Sequence, residues 1–448
     1  MASSANVERD LGLAESAAKS VGAPFGFATC GWRLGTRSDA LWMDKHAPKS
    51  WAASSINTGL GGDPVEKAYG AMAGRPKWVI GWAEDDDAAG AHCCTSWDLQ
   101  LWVERLFANS SDAFRYGCEG MMAIHWRTAA IAPNLTALAQ AGWDFGGASG
   151  GKPDLDAFWA DWGRGRFGGE AGAEAGRTLQ KLDGCHQGIN ALIRGGASTT
   201  DEQISDFFAP LRELEGLRPR IKGAGNVERL DYWLNLVRAS QLRVRTWVLA
   251  ARLAAKMADA NAISEADRKL SYVRKGVLPL RLALARSYED LIAAFVHCAK
   301  SPGEVGTIAS IESGSRERIV SSQDAAIARI LGEPLPPESA VSVVYRGRPR
   351  IFVSASRTQA KAGEPHEIRA FVLSSAKCSG VNLYWRPLGT GSYRKLAAIH
   401  RSRAAYRVAL PTRSPGTLEY YLEAALEDGQ TIRWPATAPS INQTLIAW

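Results

Sequence analysis

Four short apolar runs in the first 165 residues constrain this chain more than any other feature. They are Phe25-Gly-Phe-Ala-Thr-Cys-Gly-Trp32, Trp51-Ala-Ala-Ser-Ser-Ile56, Lys77-Trp-Val-Ile-Gly-Trp82 and Gly120-Met-Met-Ala-Ile-His-Trp126. Each is too short for a stable helix and is bounded by turn residues, the pattern of a strand buried on both faces. Helices are expected around them: residues 5–20, ended by Gly22 and Pro24, and a short piece over 38–46. A third opens with Asp63 as N-cap and Pro64 at the first position, and stops before Gly74 and Pro76. Residues 99–111 and 133–143 complete the set. Strand and helix alternating in this way predict parallel strands joined by right-handed crossovers.

The pattern then changes twice. From Val227 to Met257 apolar residues recur at three-and-four spacing, predicting a long amphipathic helix, with further helical segments at 177–194, 201–216, 264–299 and 322–331. After Leu331-Gly-Glu-Pro-Leu-Pro-Pro337 the period falls to two, as in Val341-Ser-Val-Val-Tyr345, Ile351-Phe-Val-Ser354 and Val381-Asn-Leu-Tyr-Trp385. Turns are marked by Gly389-Thr-Gly391 and Asp428-Gly429. The expected fold is therefore multidomain: a partial (β/α) barrel over 1–165, an α-helical bundle over 166–335 and an antiparallel β-sandwich over 340–448.

Composition excludes several classes. At 46% hydrophobic and 22% charged residues, the chain is neither a disordered tail, nor a collagen-like fibre, nor a disulfide miniprotein. It holds no run of about 18 apolar residues, so no membrane-spanning helix is expected. Met1 to Asp10 lacks the apolar core of a signal peptide, and the compartment stays open. The net charge of +7 is uneven: residues 1–170 carry 15 Lys+Arg against 20 Asp+Glu, leaving 38 against 26 for the remainder. Those basic residues are dispersed among acids without a nucleic-acid motif, so nucleic acid is not an expected partner. The seven cysteines have irregular spacing and no CxxC pair, which gives no structural metal site and favours unpaired thiols. No cofactor is implied. Gly163-Arg-Gly-Arg-Phe-Gly168 matches GxGxxG but follows a helical stretch rather than a strand. Gly147-Ala-Ser-Gly-Gly151 matches GxSxG without the strand that a nucleophile elbow needs.

Eleven of the 16 tryptophans lie within residues 1–170, an acidic segment. An indole fills a core or stacks on a sugar ring with equal ease. In barrels of parallel strands, chemistry sits at the C-terminal strand ends. Those positions here hold Trp32 and Arg33; Asn57; Trp82, Glu84, Asp85 and Asp86; and His125, Trp126 and Arg127. Each of the four ends thus presents aromatic, charged or polar groups, a set suited to a carbohydrate. Glu84, Asp85 and Asp86 are the candidate catalytic carboxylates, against the plainer reading of an acidic solvated turn.

The order of the three regions resembles large glycoside hydrolases with a TIM-barrel catalytic domain. The resemblance is carried by Trp82-Ala-Glu-Asp-Asp86, Gly120-Met-Met-Ala-Ile-His-Trp-Arg127 and Pro133-Asn-Leu-Thr-Ala-Leu-Ala-Gln-Ala-Gly-Trp143. Ser301-Pro-Gly-Glu-Val-Gly-Thr-Ile308 looks like part of an accessory helical region. Tyr384-Trp-Arg-Pro-Leu-Gly-Thr-Gly391 and Glu419-Tyr-Tyr-Leu-Glu-Ala424 look like fibronectin-type-III-like strands. Both α-glucuronidase-like and hexosaminidase-like barrels fit. The resemblance implies Glu84 or Asp85 as nucleophile or base, Trp82 and Trp126 as a stacking floor, and His125 and Arg127 as hydrogen-bonding partners of sugar hydroxyls or a uronate carboxylate.

The chain departs from that group in one respect. A closed barrel needs eight strands, and four precede the helical region, so these are read as the last four. The general acid of most such hydrolases follows the fourth strand, and no residue here takes that place. Hydrolysis ordinarily uses two carboxylates roughly 5 to 9.5 Å apart. The expectation is a C-terminal fragment or a truncated gene model, with a half-barrel completed by homodimerisation as the alternative. A non-catalytic carbohydrate-binding or interaction protein is the rival reading.

Overall fold

The alternation of residues 77–83 decides how the N-terminal sheet packs. Val79 and Ala83 face one way, toward Ala113 and Leu106, while Ile80 and Trp82 face the other, toward Trp102. Both faces are therefore buried, as parallel strands require. In the structure, a computed structural model, the described residues are 4–21, 31–32, 42–56, 65, 67–84, 99–125, 129–143 and 153–448, except 343, 355 and 413. Strands β1 (Gly31–Trp32), β2 (Ala53–Ile56), β3 (Lys77–Trp82) and β4 (Gly120–Ile124) form one parallel sheet in chain order. Among the described residues β1 and β4 are its edges and do not pair with each other. Helices Val103–Arg115 and Ala132–Trp143 follow β3 and β4. The carboxylate of Asp183 caps the first of them, accepting from the Val103 and Glu104 amides at 2.9 Å each. Burial holds that carboxyl above its ordinary pKa, against the lowering effect of the amides.

The layout is thus multidomain with mixed helix and sheet. Two compact units divide the chain: Met1–Gly90 with Gln100–Trp159 and Leu179–His186, and Ala91–Leu99 with Ala160–Thr178 and Gln187–Trp448. The later helices and the C-terminal sheets fall in the same second unit. Its longest helix, Ala224–Ala262, presents Leu249, Leu253, Met257 and Ala260 as a stripe, packed with Val273, Val277, Leu284 and Tyr288. The stretch expected as one helix over 264–299 is interrupted. Ala266–Tyr272 passes through a π turn at Val273–Val277 into Leu278–Cys298, because Pro279 has no N–H to continue the ladder. The single helix expected over 177–194 is also two, Gly169–Gln180 and Cys185–Gly195, parted where Gly184 takes a φ of +75°.

Two sheets close the second unit. One orders β10 (Ile399–Ser402), β11 (Ala405–Leu410), β7 (His366–Leu373) and β5 (Arg350–Val353), all antiparallel. The other orders β6 (Gln359–Ala360), β14 (Gln443–Ala447), β12 (Gly416–Leu426), β8 (Cys378–Pro387) and β9 (Arg394–Ala397), with β13 (Thr431–Trp434) also on β12. Their alternate residues, Ile368, Ala370 and Val372 from one and Leu383, Leu422 and Ala424 from the other, share one core. Across β8 and β12, Tyr384 stacks on Tyr421 at 4.9 Å and Arg386 pairs with Glu419 at 2.7 Å. The expected strand Val341–Tyr345 is not seen among its described residues: 341, 342, 344 and 345 are not in a strand, although their alternation suits one. Tyr345 instead makes side-chain contacts with His297 and with the Arg348 carbonyl.

Candidate functional site

In the first unit, register brings the ends of β3 and β4 together. Trp82 pairs with Ile124, and the amides of both Ala83 and Glu84 donate to the Ile124 carbonyl at 3.0 and 3.1 Å. Glu84 and His125 consequently leave adjacent strands at the same edge. Glu84 is fully buried, and His125 is exposed. Trp82 is 2% exposed and packs with Ile80 and Trp102, so its indole serves the core and offers no open stacking floor. Trp32 ends β1, paired with Ile56, and nothing further of it is described. Arg33, Asn57, Asp85, Asp86, Trp126 and Arg127 lie outside the described residues. Cys93, Cys94 and the GxSxG stretch do as well.

Asn134 holds this edge in place, a role the sequence conceals behind a formal glycosylation sequon. Its amide donates to the Ala83 and Gln100 carbonyls at 2.8 Å, and its oxygen accepts from the Trp102 amide at 2.9 Å. Such complete pairing is what a fully buried amide requires. Asn109, the head of another sequon, is buried too.

The second unit contains a cleft of about 1130 Å³ that sequence reasoning missed. It is lined by parts of the helices Ala224–Ala262 and Leu278–Cys298, the segment 346–351 and residues around β13. Seven arginines and Lys300 line it, against four carboxylates. The basic excess after residue 170 was its signal, but period and spacing do not bring distant residues together. At its rim the Arg348 amide donates to His297 Nε2 at 3.2 Å, and the Tyr345 hydroxyl donates to the Arg348 carbonyl at 2.8 Å. Burial, with Arg350 and Arg238 nearby, pulls the His297 pKa down to about 4. Burial pushes Tyr345 up to about 12, against Arg350. Burial likewise lowers Lys300 below the ordinary lysine value, Glu228 opposing and Arg350 and Arg166 adding to the effect. Burial and neighbouring Glu289 raise Asp290. Among the described residues no cluster of His, Cys, Asp and Glu has the form of a metal site. No described helix is long and apolar enough to cross a membrane.

No protein-family model matches this chain, and no curated protein does. Among solved structures it is similar to a crystal structure of an engineered protein, at 11% identity over 96% of this chain and 94% of that one. The TM-score of that pair is 0.22, which carries no argument about fold or function.

Proposed function

We propose that this chain is a glycoside hydrolase-like protein that binds poly- or oligosaccharide and, with a complete carboxylate pair, hydrolyses it. The observation that supports the reading is the sequential parallel sheet β1 to β4, with buried Glu84 and exposed His125 at one edge. On this reading the sheet belongs to a (β/α) barrel, followed by a helical bundle and a β-sandwich. A carboxylate at a strand end, with the exposed His125 leaving the neighbouring strand at the same edge, suits a nucleophile or a base. Glu84 takes that role, with Asp85 as the alternative, and the partner carboxylate is not among these strand-end residues. His125, Arg127 and Asn57 contribute hydrogen bonds to sugar hydroxyls, and Trp32 and Trp126 contribute ring contacts.

The test is hydrolysis of aryl-glycoside and aryl-uronide panels by the intact chain and by Glu84→Gln. Loss of turnover by about a hundredfold or more, with sugar binding and melting temperature kept, is the expected result. Unchanged turnover would remove Glu84 from the site. A second reading, a non-catalytic carbohydrate-binding protein, draws on Glu84 being the one carboxylate at the strand ends among the described residues. Sugar binding without hydrolysis of any substrate would favour it.

A further inference from the structure

We infer that the cleft of the second unit binds an acidic oligosaccharide, whose carboxylate or sulfate groups sit on Lys300 and Arg350. The saccharide part of this inference rests on the hydrolase-like reading; the anionic part rests on the cleft. Several of its arginines are already neutralised: Arg218 by Asp231 at 2.5 Å, Arg238 by Glu215 at 2.6 Å and Arg433 by Glu423 at 2.8 Å. Lys300 and Arg350 are not. Among the described residues neither has a carboxylate within ion-pair distance. Lys300 Nζ lies 4.6 Å over the ring of Tyr232, and Arg350 donates to the backbone carbonyls of His297 and Ala299.

Two further cations strengthen the local field. Arg166 and Arg229 are also without an ion pair among the described residues. Arg229 is tied to the Arg166 carbonyl at 2.6 Å and to the Asn226 side chain, and Arg166 Nε is buried without a hydrogen-bond partner. Arg166 acts electrostatically on Lys300, as does Arg350. Four cations gathered in partly buried surroundings repel one another; Glu228 opposes this at Lys300, whose pKa is nevertheless lowered. An anion in the cleft would offset the repulsion further. A cleft of about 1130 Å³ exceeds the roughly 300–1,000 Å³ of ordinary small-molecule pockets, which suits an extended oligomer. Asn235 and Gln241 line it as neutral partners for hydroxyl groups. A site for single-stranded nucleic acid would need open aromatic faces for base stacking. Apart from His297, the aromatic ring in the lining is that of Tyr232, and Lys300 covers one face of it.

The test is calorimetric titration of the full chain with four oligomers of equal length: an oligogalacturonate, a sulfated oligosaccharide, a neutral oligoglucoside and a single-stranded oligonucleotide. The expected result is at least tenfold tighter binding of one or both acidic sugars than of the neutral one, weakening with salt, on the order of one lost charge-assisted contact. The first two arms tell carboxylate from sulfate recognition. Lys300→Gln is expected to weaken the acidic sugar roughly tenfold. Glu228→Gln, which removes an exposed opposing charge, is expected to tighten it about threefold, so a failed fold in one variant does not decide the matter. Equal binding of neutral and acidic sugars, no effect of either variant, or preference for the oligonucleotide overturns the inference. In the first two cases the hydrolase-like reading stands. If no saccharide is bound or hydrolysed, that reading falls and the inference falls with it.

Discussion

Arg75 uses all five of its guanidinium N–H groups inside the protein. It donates to Asp44 Oδ1 at 2.7 Å, to the Asp44 and Ala47 carbonyls at 2.9 Å and to those of Pro48 and Trp51 at 3.2 Å. One side chain thus gathers the segment from Asp44 to Trp51 that leads into β2. The Asp44 carboxyl is raised by burial, but bonds from Lys49 and Arg75 outweigh this and hold it below its ordinary value. Arg75→Lys keeps the charge but cannot reproduce the fork, and its cost is expected at about 1–3 kcal/mol in urea denaturation, the penalty of leaving buried carbonyls unpaired. In the sequence Gly74-Arg-Pro76 reads only as a helix stop. The turn was legible there, but the partners of Arg75 are 24 to 31 residues away and no pattern announces them.

At the scale of elements, the glycines of Gly163-Arg-Gly-Arg-Phe-Gly168 find a mechanical explanation. They lie at the end of helix Leu155–Phe167, where a Cβ on Gly163 would collide with the Gly172 carbonyl and stand 2.7 Å from the Gly176 backbone. The two helices therefore approach backbone to backbone. Gly168 then turns the chain with a φ of +81°. Gly163→Ala is expected to lower stability by about 1–3 kcal/mol through overpacking, read as a lower urea midpoint. Helix content by circular dichroism should stay the same, because alanine itself favours helix. The absence of a strand before the motif was enough to set dinucleotide binding aside. What the glycines do instead depends on which helix returns to meet them. The strand expected at Val341–Tyr345 shows the converse, since its alternation suits a sheet but its tyrosine hydroxyl is held by His297 and the Arg348 carbonyl.

Across the whole molecule, the second unit joins helices to sheets through His297. Nε2 accepts the Arg348 amide, so the ring is neutral in the folded state, and a Cβ on Gly347 would collide with that nitrogen. The groups facing it are Tyr345, Arg350 and Arg238. With the folded pKa depressed to about 4 from an ordinary 6.5, the contribution of the neutral ring is full above pH 6.5. It is lost as pH falls from there to about 4, by at most about 3 kcal/mol. His297→Gln should flatten that part of a stability-against-pH curve measured by urea denaturation. By itself, the sequence determined the four parallel strands, the polar character of their ends and the helix-then-sheet order of the remaining chain. These are local matters of period, turn residues and burial, which neighbours along the chain decide. Tertiary structure alone decided that Trp82 is core, that Asn134 clamps the strand edge, and that Lys300 and Arg350 meet in one cleft. Each of those depends on distances between residues far apart in the chain, and only packing sets them.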